Sequence, residues 1–241
     1  MKKDLNWLLD KPIAHRGLHN NNIECPENSI EAFRKAIKYG YPIELDVRIT
    51  KDNQVIVFHD NSLKRLVGID NIIENSTYDE LSKYSLYNDI NFNHKIPLLN
   101  EVLELVAGSV PLLIEIKNEG DVGSLEENLL KILKNYKGKY AIQSFNPLSL
   151  LWFKKQDPDI IIGQLACDII EDENIWFNTI ETLDFISYGF WHIPDKLMNK
   201  IKIHNIPLLG WTIKSEEDEK IARQYCDNII FEGYLPKELG V

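Results

Sequence analysis

ELDVRITKDNQVIVFHD, residues 44–60, puts three groups suited to metal or proton chemistry inside one short sheet segment. A strand sends alternate side chains to one face, so Glu44 and Asp46 point together while Ile43, Leu45 and Val47 face the other way. Two carboxylates on one face of an apolar run are costly unless something positive binds them. The polar turn Lys51-Asp52-Asn53 leads into a second apolar run, 55–58, which stops at His59-Asp60. A sheet edge with exposed acids is the plain alternative for an isolated Glu-x-Asp. The surrounding chain weighs against it.

Upstream, Pro12-Ile13-Ala14 reads as a short strand running into His15-Arg16-Gly17, followed by a polar loop over 19–25. Pro26-Glu27-Asn28-Ser29 opens a helix whose Ile30, Phe33, Ala36 and Ile37 share one apolar face. Asn28 or Ser29 is the candidate cap and Gly40 the natural stop. Downstream, residues 61–96 are polar, with one helical patch at 78–84 behind the candidate cap Thr77. They read as a small excursion rather than a second domain.

Regular alternation follows. Helices are expected at 98–107, 125–136, 147–156, 194–204 and 216–225. Strands are expected at 110–117, 139–145, 160–165, 183–188, 206–213 and 228–231, and 167–181 shows no clear pattern. Such alternation predicts parallel βαβ units. Taking Ile13, Ile43, Leu113, Ile142, Ile161, Phe185, Leu209 and Ile229 as strand centres gives the eight that a closed βα barrel needs. The 55–58 run lies too close to its predecessor for an ordinary parallel crossover, so it requires a hairpin or an unusually tight link. A doubly wound open sheet is the alternative, and no Gly-x-Gly-x-x-Gly follows the first strand to support it.

At 241 residues, 44% hydrophobic and 27% charged, the chain fits one soluble domain spanning 1–241. A net charge of −10 argues against nucleic acid as a partner, though a local basic pocket can still take a small anion. Cys25, Cys167 and Cys226 match neither a disulfide framework nor a zinc cluster and read as free thiols. The first residues lack a signal-peptide core, and no apolar run reaches the ~18 residues of a membrane span. A cytoplasmic setting is expected.

Reactive groups in a βα barrel sit at the carboxyl ends of its strands. Those ends carry His15 and Arg16, then Glu44 and Asp46, then His59, then Glu115 and Lys117 two apart on one face. Gln143 and Ser144 follow, and Trp211 and Lys214 lie near a late strand end. A solvated face does not predict three carboxylates, two histidines, an arginine and a lysine around one mouth.

The ordered series HRG, PEN-S, ELDV-x-x-TKD, HD and LLIEIK resembles the glycerophosphodiester phosphodiesterases. The specific motifs run from Ile13 to about Lys117, with a looser likeness through Gln143-Ser144-Phe145-Asn146 and Trp211-Thr212. The resemblance implies a TIM (β/α)8 barrel with a small insertion after the HD motif, here 61–96. It implies metal-dependent hydrolysis of glycerophosphodiesters to sn-glycerol 3-phosphate and an alcohol. Glu44, Asp46 and Glu115 would hold one divalent cation, and hard oxygen donors suit Mg²⁺ or Ca²⁺. His15 and His59 would share the acid–base work, Arg16 and Lys117 would hold phosphate oxygens, and Trp211 would wall the glycerol backbone. The chain departs from the family pattern at Lys214, where an amide is usual, and at Glu232, where an aspartate is usual. Lys214 is expected to favour anionic leaving groups.

Other readings compete. Attack by a neighbouring substrate hydroxyl would give a cyclic phosphate, as in phosphatidylinositol phospholipase C-like enzymes. Lys117 could instead be a Schiff-base aldolase nucleophile, or the barrel could bind phosphate without catalysis. Tyr188, Phe190 and Trp191 form either a cage for a quaternary ammonium or the cover of an apolar rim.

Overall fold

The computed structural model describes residues 3–20, 24–88, 91–167 and 177–236. Its strands are β1 (Ile13–Ala14), β2 (Ile43–Ile49), β3 (Val55–Val57), β4 (Leu112–Ile116), β5 (Tyr140–Ser144), β6 (Ile162–Ala166), β7 (Phe185–Gly189), β8 (Leu208–Ile213) and β9 (Asn228–Phe231). Its helices are α1 (Asn6–Leu9), α2 (Ile30–Tyr39), α3 (Lys64–Val67), α4 (Tyr78–Leu81), α5 (Leu99–Val106), α6 (Ser124–Leu133), α7 (Pro147–Gln156), α8 (Asp195–His204) and α9 (Glu216–Ala222). All strands but β3 run parallel in the order β1-β9-β8-β7-β6-β5-β4-β2, and β1 also pairs with β2. That last pairing closes the eight-stranded barrel. The open doubly wound sheet is thereby excluded.

The barrel has two apolar layers, sorted by strand alternation. Outward residues such as Ile43, Leu45, Val47, Leu112, Ile114 and Ile116 pack under the helices. Inward residues Ile13, Leu113, Ala141, Phe185, Leu209 and Ile230 fill the lower barrel together with Leu8 of α1. Asn228 Nδ2 ties this plug down, donating to the carbonyls of Leu8 (2.8 Å) and Lys11 (2.7 Å). A Cβ on Gly163 would overlap the Phe185 ring, so the glycine makes room for the large side chain of its register partner on the neighbouring strand β7.

The 55–58 run is a hairpin: β3 pairs antiparallel with β2, Val47 opposite Val57. Its alternation divides two cores. Val55 and Val57 join the barrel core. Ile56 and Phe58 face Leu63, Leu66, Val67, Ile73, Leu81, Leu86 and Ile96, a separate apolar cluster formed by the excursion. Truncating the fully buried Phe58 to alanine should cost about 3–5 kcal/mol. Within the excursion, Thr77 caps α4 in a capping box with Glu80, as its position predicts. The four-residue α3 has too few residues to show a period.

Several boundaries differ from the expected ones. The 125–136 and 216–225 helices stop at Leu133 and Ala222, their last turns being irregular. The 160–165 and 183–188 strands slide to Ile162–Ala166 and Phe185–Gly189, because Leu183 closes a turn back to Ile180 and the Asp184 carboxylate accepts the Ile162 amide. Ser29, not Asn28, caps α2, its side chain accepting from the Ala32 amide. Much of the patternless 167–181 stretch lies outside the described residues.

Candidate active site

The floor of the barrel mouth is built by two neighbouring strands. Asp46 on β2 is in register with Glu115 on β4. Alternation adds Glu44 to the same inward face, and one oxygen from each of the three carboxylates falls within 4.8 Å of the others. All three are buried. Lys117 Nζ pairs with Glu115 Oε1 and lies 3.2 Å from Asp46 Oδ1.

Lys117, with Arg16 Nε 3.3 Å from Asp46 Oδ2, leaves three buried acids short of neutralisation. Burial, then the charges of Asp46 and Glu115, push the Glu44 carboxyl well above its usual range. Burial raises Glu115 to about 7, against the pull of Lys117. Burial also opposes ionisation of Asp46, but Lys117 and Arg16 outweigh it and hold that carboxyl far below the ordinary value. Glu44 Oε1 is buried with no hydrogen-bond partner among the described residues, while Asp46 Oδ1 and Glu115 Oε1 share the single ammonium of Lys117. Three converging buried carboxylate oxygens served by one ammonium fit a hard divalent cation.

The walls come from loops beyond the strand ends. His15 follows β1, its Nδ1 2.6 Å from Glu232 Oε2 and its Nε2 4.0 Å from Glu44 Oε2. Arg16 adopts φ 54°, donates its backbone N–H to Glu44 Oε2 (3.0 Å) and its guanidinium to Glu27 Oε1 (2.6 Å). Gly17 follows at φ 79°, where a Cβ would press to 2.9 Å on Ala32, so the turn over α2 needs glycine. Asn28 Nδ2 donates to Asp46 Oδ2 at 2.8 Å. His59 follows β3, its Nδ1 2.6 Å from Asp60 Oδ1 and its carbonyl accepting from Arg48 Nε. Burial lowers the pKa of both histidines, against the carboxylates that face them.

A cavity of about 260 Å³ is lined by His15, Arg16, Glu44, His59, Glu115, Lys117, Gln143 and Trp211, among others. Of the eight expected site residues only Asp46 is absent from this lining. It lies beneath, bonded to Arg16, Asn28 and Lys117. Phe145 and Trp191 pack edge-on against Trp211, at 5.9 and 5.8 Å between ring centroids, making one aromatic wall. Ser144 turns away and donates to the Ile116 carbonyl.

One alternative is excluded and one expectation is corrected. Tyr188 is fully buried in the layer beneath the helices, so Tyr188, Phe190 and Trp191 do not form an ammonium cage. Lys214 Nζ lies 2.8 Å from Glu232 Oε1, so its charge is engaged rather than presented to a leaving group. The two departures from the family pattern are thus partners of each other.

The sequence model of the glycerophosphoryl diester phosphodiesterase family matches residues 15–231. The chain belongs to this family. The glycerophosphodiester phosphodiesterase of Caldanaerobacter subterraneus subsp. tengcongensis is 33% identical over 232 residues, covering 90% of this chain and 92% of its own length. A putative glycerophosphodiester phosphodiesterase of Bacillus subtilis is 34% identical over 92% of this chain and 97% of its own. An Oleispira antarctica phosphodiesterase solved with its product sn-glycerol-3-phosphate shares the fold, with TM-score 0.80, 24% identity and 92% of each chain covered. Membership makes this chain a glycerophosphodiester phosphodiesterase by enzyme class, with glycerophosphodiesters as its small-molecule substrates.

Five residues outside the expected site set hold the mouth together: Glu232, Asp60, Glu27, Asn28 and Arg65. Glu232 was visible, since Asn228, Ile230 and Glu232 alternate inward through and just past β9. Asp60 sat beside His59. Glu27 and Asn28 belong to the PEN-S motif at a helix start, where Ser29 caps the helix and frees both for the mouth. Arg65, within the polar excursion, had no sequence signal at all.

Proposed function

We propose that this phosphodiesterase releases sn-glycerol 3-phosphate and an alcohol with one Mg²⁺ or Ca²⁺ held by Glu44, Asp46 and Glu115. The observation that carries this reading is the trio of buried, converging carboxylates beneath two histidines, with Glu44 Oε1 left without a hydrogen-bond partner among the described residues. When bound, the cation supplies charge neutralisation for the phosphate oxygens. Arg16 and Lys117 hold the remaining nonbridging oxygens. His15 and His59 take the proton from the attacking hydroxyl or water and return one to the departing alkoxide. Each donates Nδ1–H to a carboxylate, Glu232 or Asp60, which fixes the ring and directs Nε2 to the reacting oxygen. Trp211, with Phe145 behind it, faces the glycerol carbons.

Lys117 does not suit a Schiff-base role. Burial alone would ease its deprotonation, but Asp46 and Glu115 prevail and raise its pKa, keeping it an ammonium. Cys25, Cys167 and Cys226 form no disulfide among the described residues. Among the described residues no helix is long and apolar enough to cross a membrane.

The test is hydrolysis of glycerophosphocholine and glycerophosphoethanolamine, with EDTA and then Mg²⁺ or Ca²⁺ add-back. The expected result is sn-glycerol 3-phosphate, lost with EDTA and restored by one of the two ions. Hydrolysis indifferent to chelation would overturn the metal assignment, and a cyclic phosphate product would replace hydrolysis by internal attack.

A further inference from the structure

His59 stands apart from the other reacting groups in how it is held. The floor carboxylates ride on barrel strands, whose ladder fixes them. His59 follows β3, a hairpin strand outside the barrel ring, and its carboxylate partner Asp60 is further out still.

Arg65 of α3 reaches back across this gap. Its Nε and one terminal nitrogen donate to the two oxygens of Asp60, at 2.7 and 3.0 Å. Its two terminal nitrogens also donate to the two oxygens of Glu27, both at 2.7 Å. Asp60 Oδ1 faces His59 Nδ1, and Glu27 Oε1 accepts from Arg16. The chain His59–Asp60–Arg65–Glu27–Arg16–Asp46 therefore crosses the mouth from a histidine to the floor through one guanidinium. We propose that Arg65 is a positioning residue, a two-sided fork that sets the place of His59 against Arg16. The excursion is thereby part of the catalytic apparatus.

The geometry asks for arginine in particular. A planar guanidinium presents donors along two edges and can clasp two carboxylates bidentately. A lysine ammonium is a single point and cannot hold both in plane. Without a cation here, Glu27 and Asp60 would repel each other, and each would drag its partner from the mouth.

This inference rests on the reading of His59 as a reacting group, so the experiment carries its own control. Turnover of glycerophosphoethanolamine at saturating metal is compared in the wild type, His59→Ala, Arg65→Ala and Arg65→Lys, alongside thermal melts without metal. Expected for Arg65→Ala is a fall in kcat of about tenfold to a hundredfold, the scale seen for outer-shell orienting groups. Millimolar ethylguanidinium should restore much of it, whereas ethylammonium at equal ionic strength should not. Arg65→Lys should stay low in kcat although it keeps the charge and melts close to the wild type. If Arg65→Ala does not fold, Arg65→Lys decides alone. Wild-type kcat in Arg65→Lys, or a folded Arg65→Ala that loses turnover without guanidinium rescue, would overturn the fork. Undiminished activity in His59→Ala would instead overturn the acid–base reading beneath it.

Discussion

The floor and the walls of the mouth are built by different means. Glu44, Asp46, Glu115 and Lys117 sit on or directly after β2 and β4, where parallel pairing sets their spacing. His15, Arg16 and His59 sit on loops, and each is held by further side chains: Glu232, Glu27 and Asp60, the latter two joined by Arg65. Groups on strands need no supporting partners to converge. Groups on loops do, and Glu232, Glu27, Asp60 and Arg65 are those partners.

The largest effect should come from the floor. Asp46→Asn or Glu115→Gln should lower kcat/KM by about 10³-fold or more, since a lost cation forfeits several kcal/mol of charge stabilisation. Glu115→Gln should change the melting temperature little, because burial disfavours that charge, whereas Asp46→Asn should lower it, because Arg16 and Lys117 lose a shared buried partner. A floor variant with near-normal turnover would erase the distinction between floor and walls.

Next come the histidines. His15→Ala and His59→Ala should each cost ~10²–10⁴-fold on a poor leaving group. On a nitrophenyl ester, the variant lacking the general acid should recover most of its activity, which tells the two histidines apart. Equal losses on both esters would deny any division of labour in the walls.

A smaller effect concerns acid stability. Burial alone would raise the Asp60 carboxyl, yet Arg65 and His59 lower it to about 2. Such a depressed carboxyl contributes stability that is full above its unfolded value near 4 and fades as pH falls toward about 2. The melting-temperature gap between wild type and Arg65→Met should therefore narrow over that range. A gap that widens in acid would contradict the Asp60–Arg65 bond.

The smallest effect is assigned to Lys214. Its ammonium is paired with Glu232 and its side chain is 65% exposed, so screening leaves it little to offer a substrate. Lys214→Asn should shift the glycerophosphocholine to glycerophosphoserine preference by less than about twofold, within the ~0–1 kcal/mol of exposed pairs. A tenfold shift would put Lys214 in contact with the leaving group.

The same division explains what was legible in the sequence. The period-two pattern of Ile43–Ile49 and Leu112–Ile116 announced both the barrel and its floor. His15 and His59 were legible as polar residues ending apolar runs. Their supports were not, because Glu27 to Arg65 is a contact across 38 positions, and no local rule encodes which loop folds back on which. Asn28 shows the limit from the other side. Its residue type suits a helix cap, but with φ 53° it turns to Asp46 while Ser29 takes the cap.

The most direct test is a calorimetric titration of Mg²⁺ and of Ca²⁺ into the metal-free protein, with no substrate present. A single binding event is expected, abolished by Glu44→Gln, Asp46→Asn or Glu115→Gln and retained in His59→Ala and Arg65→Ala. Binding that survives in the floor variants, or fails equally in the wall variants, would contradict a floor that holds the cation on its own.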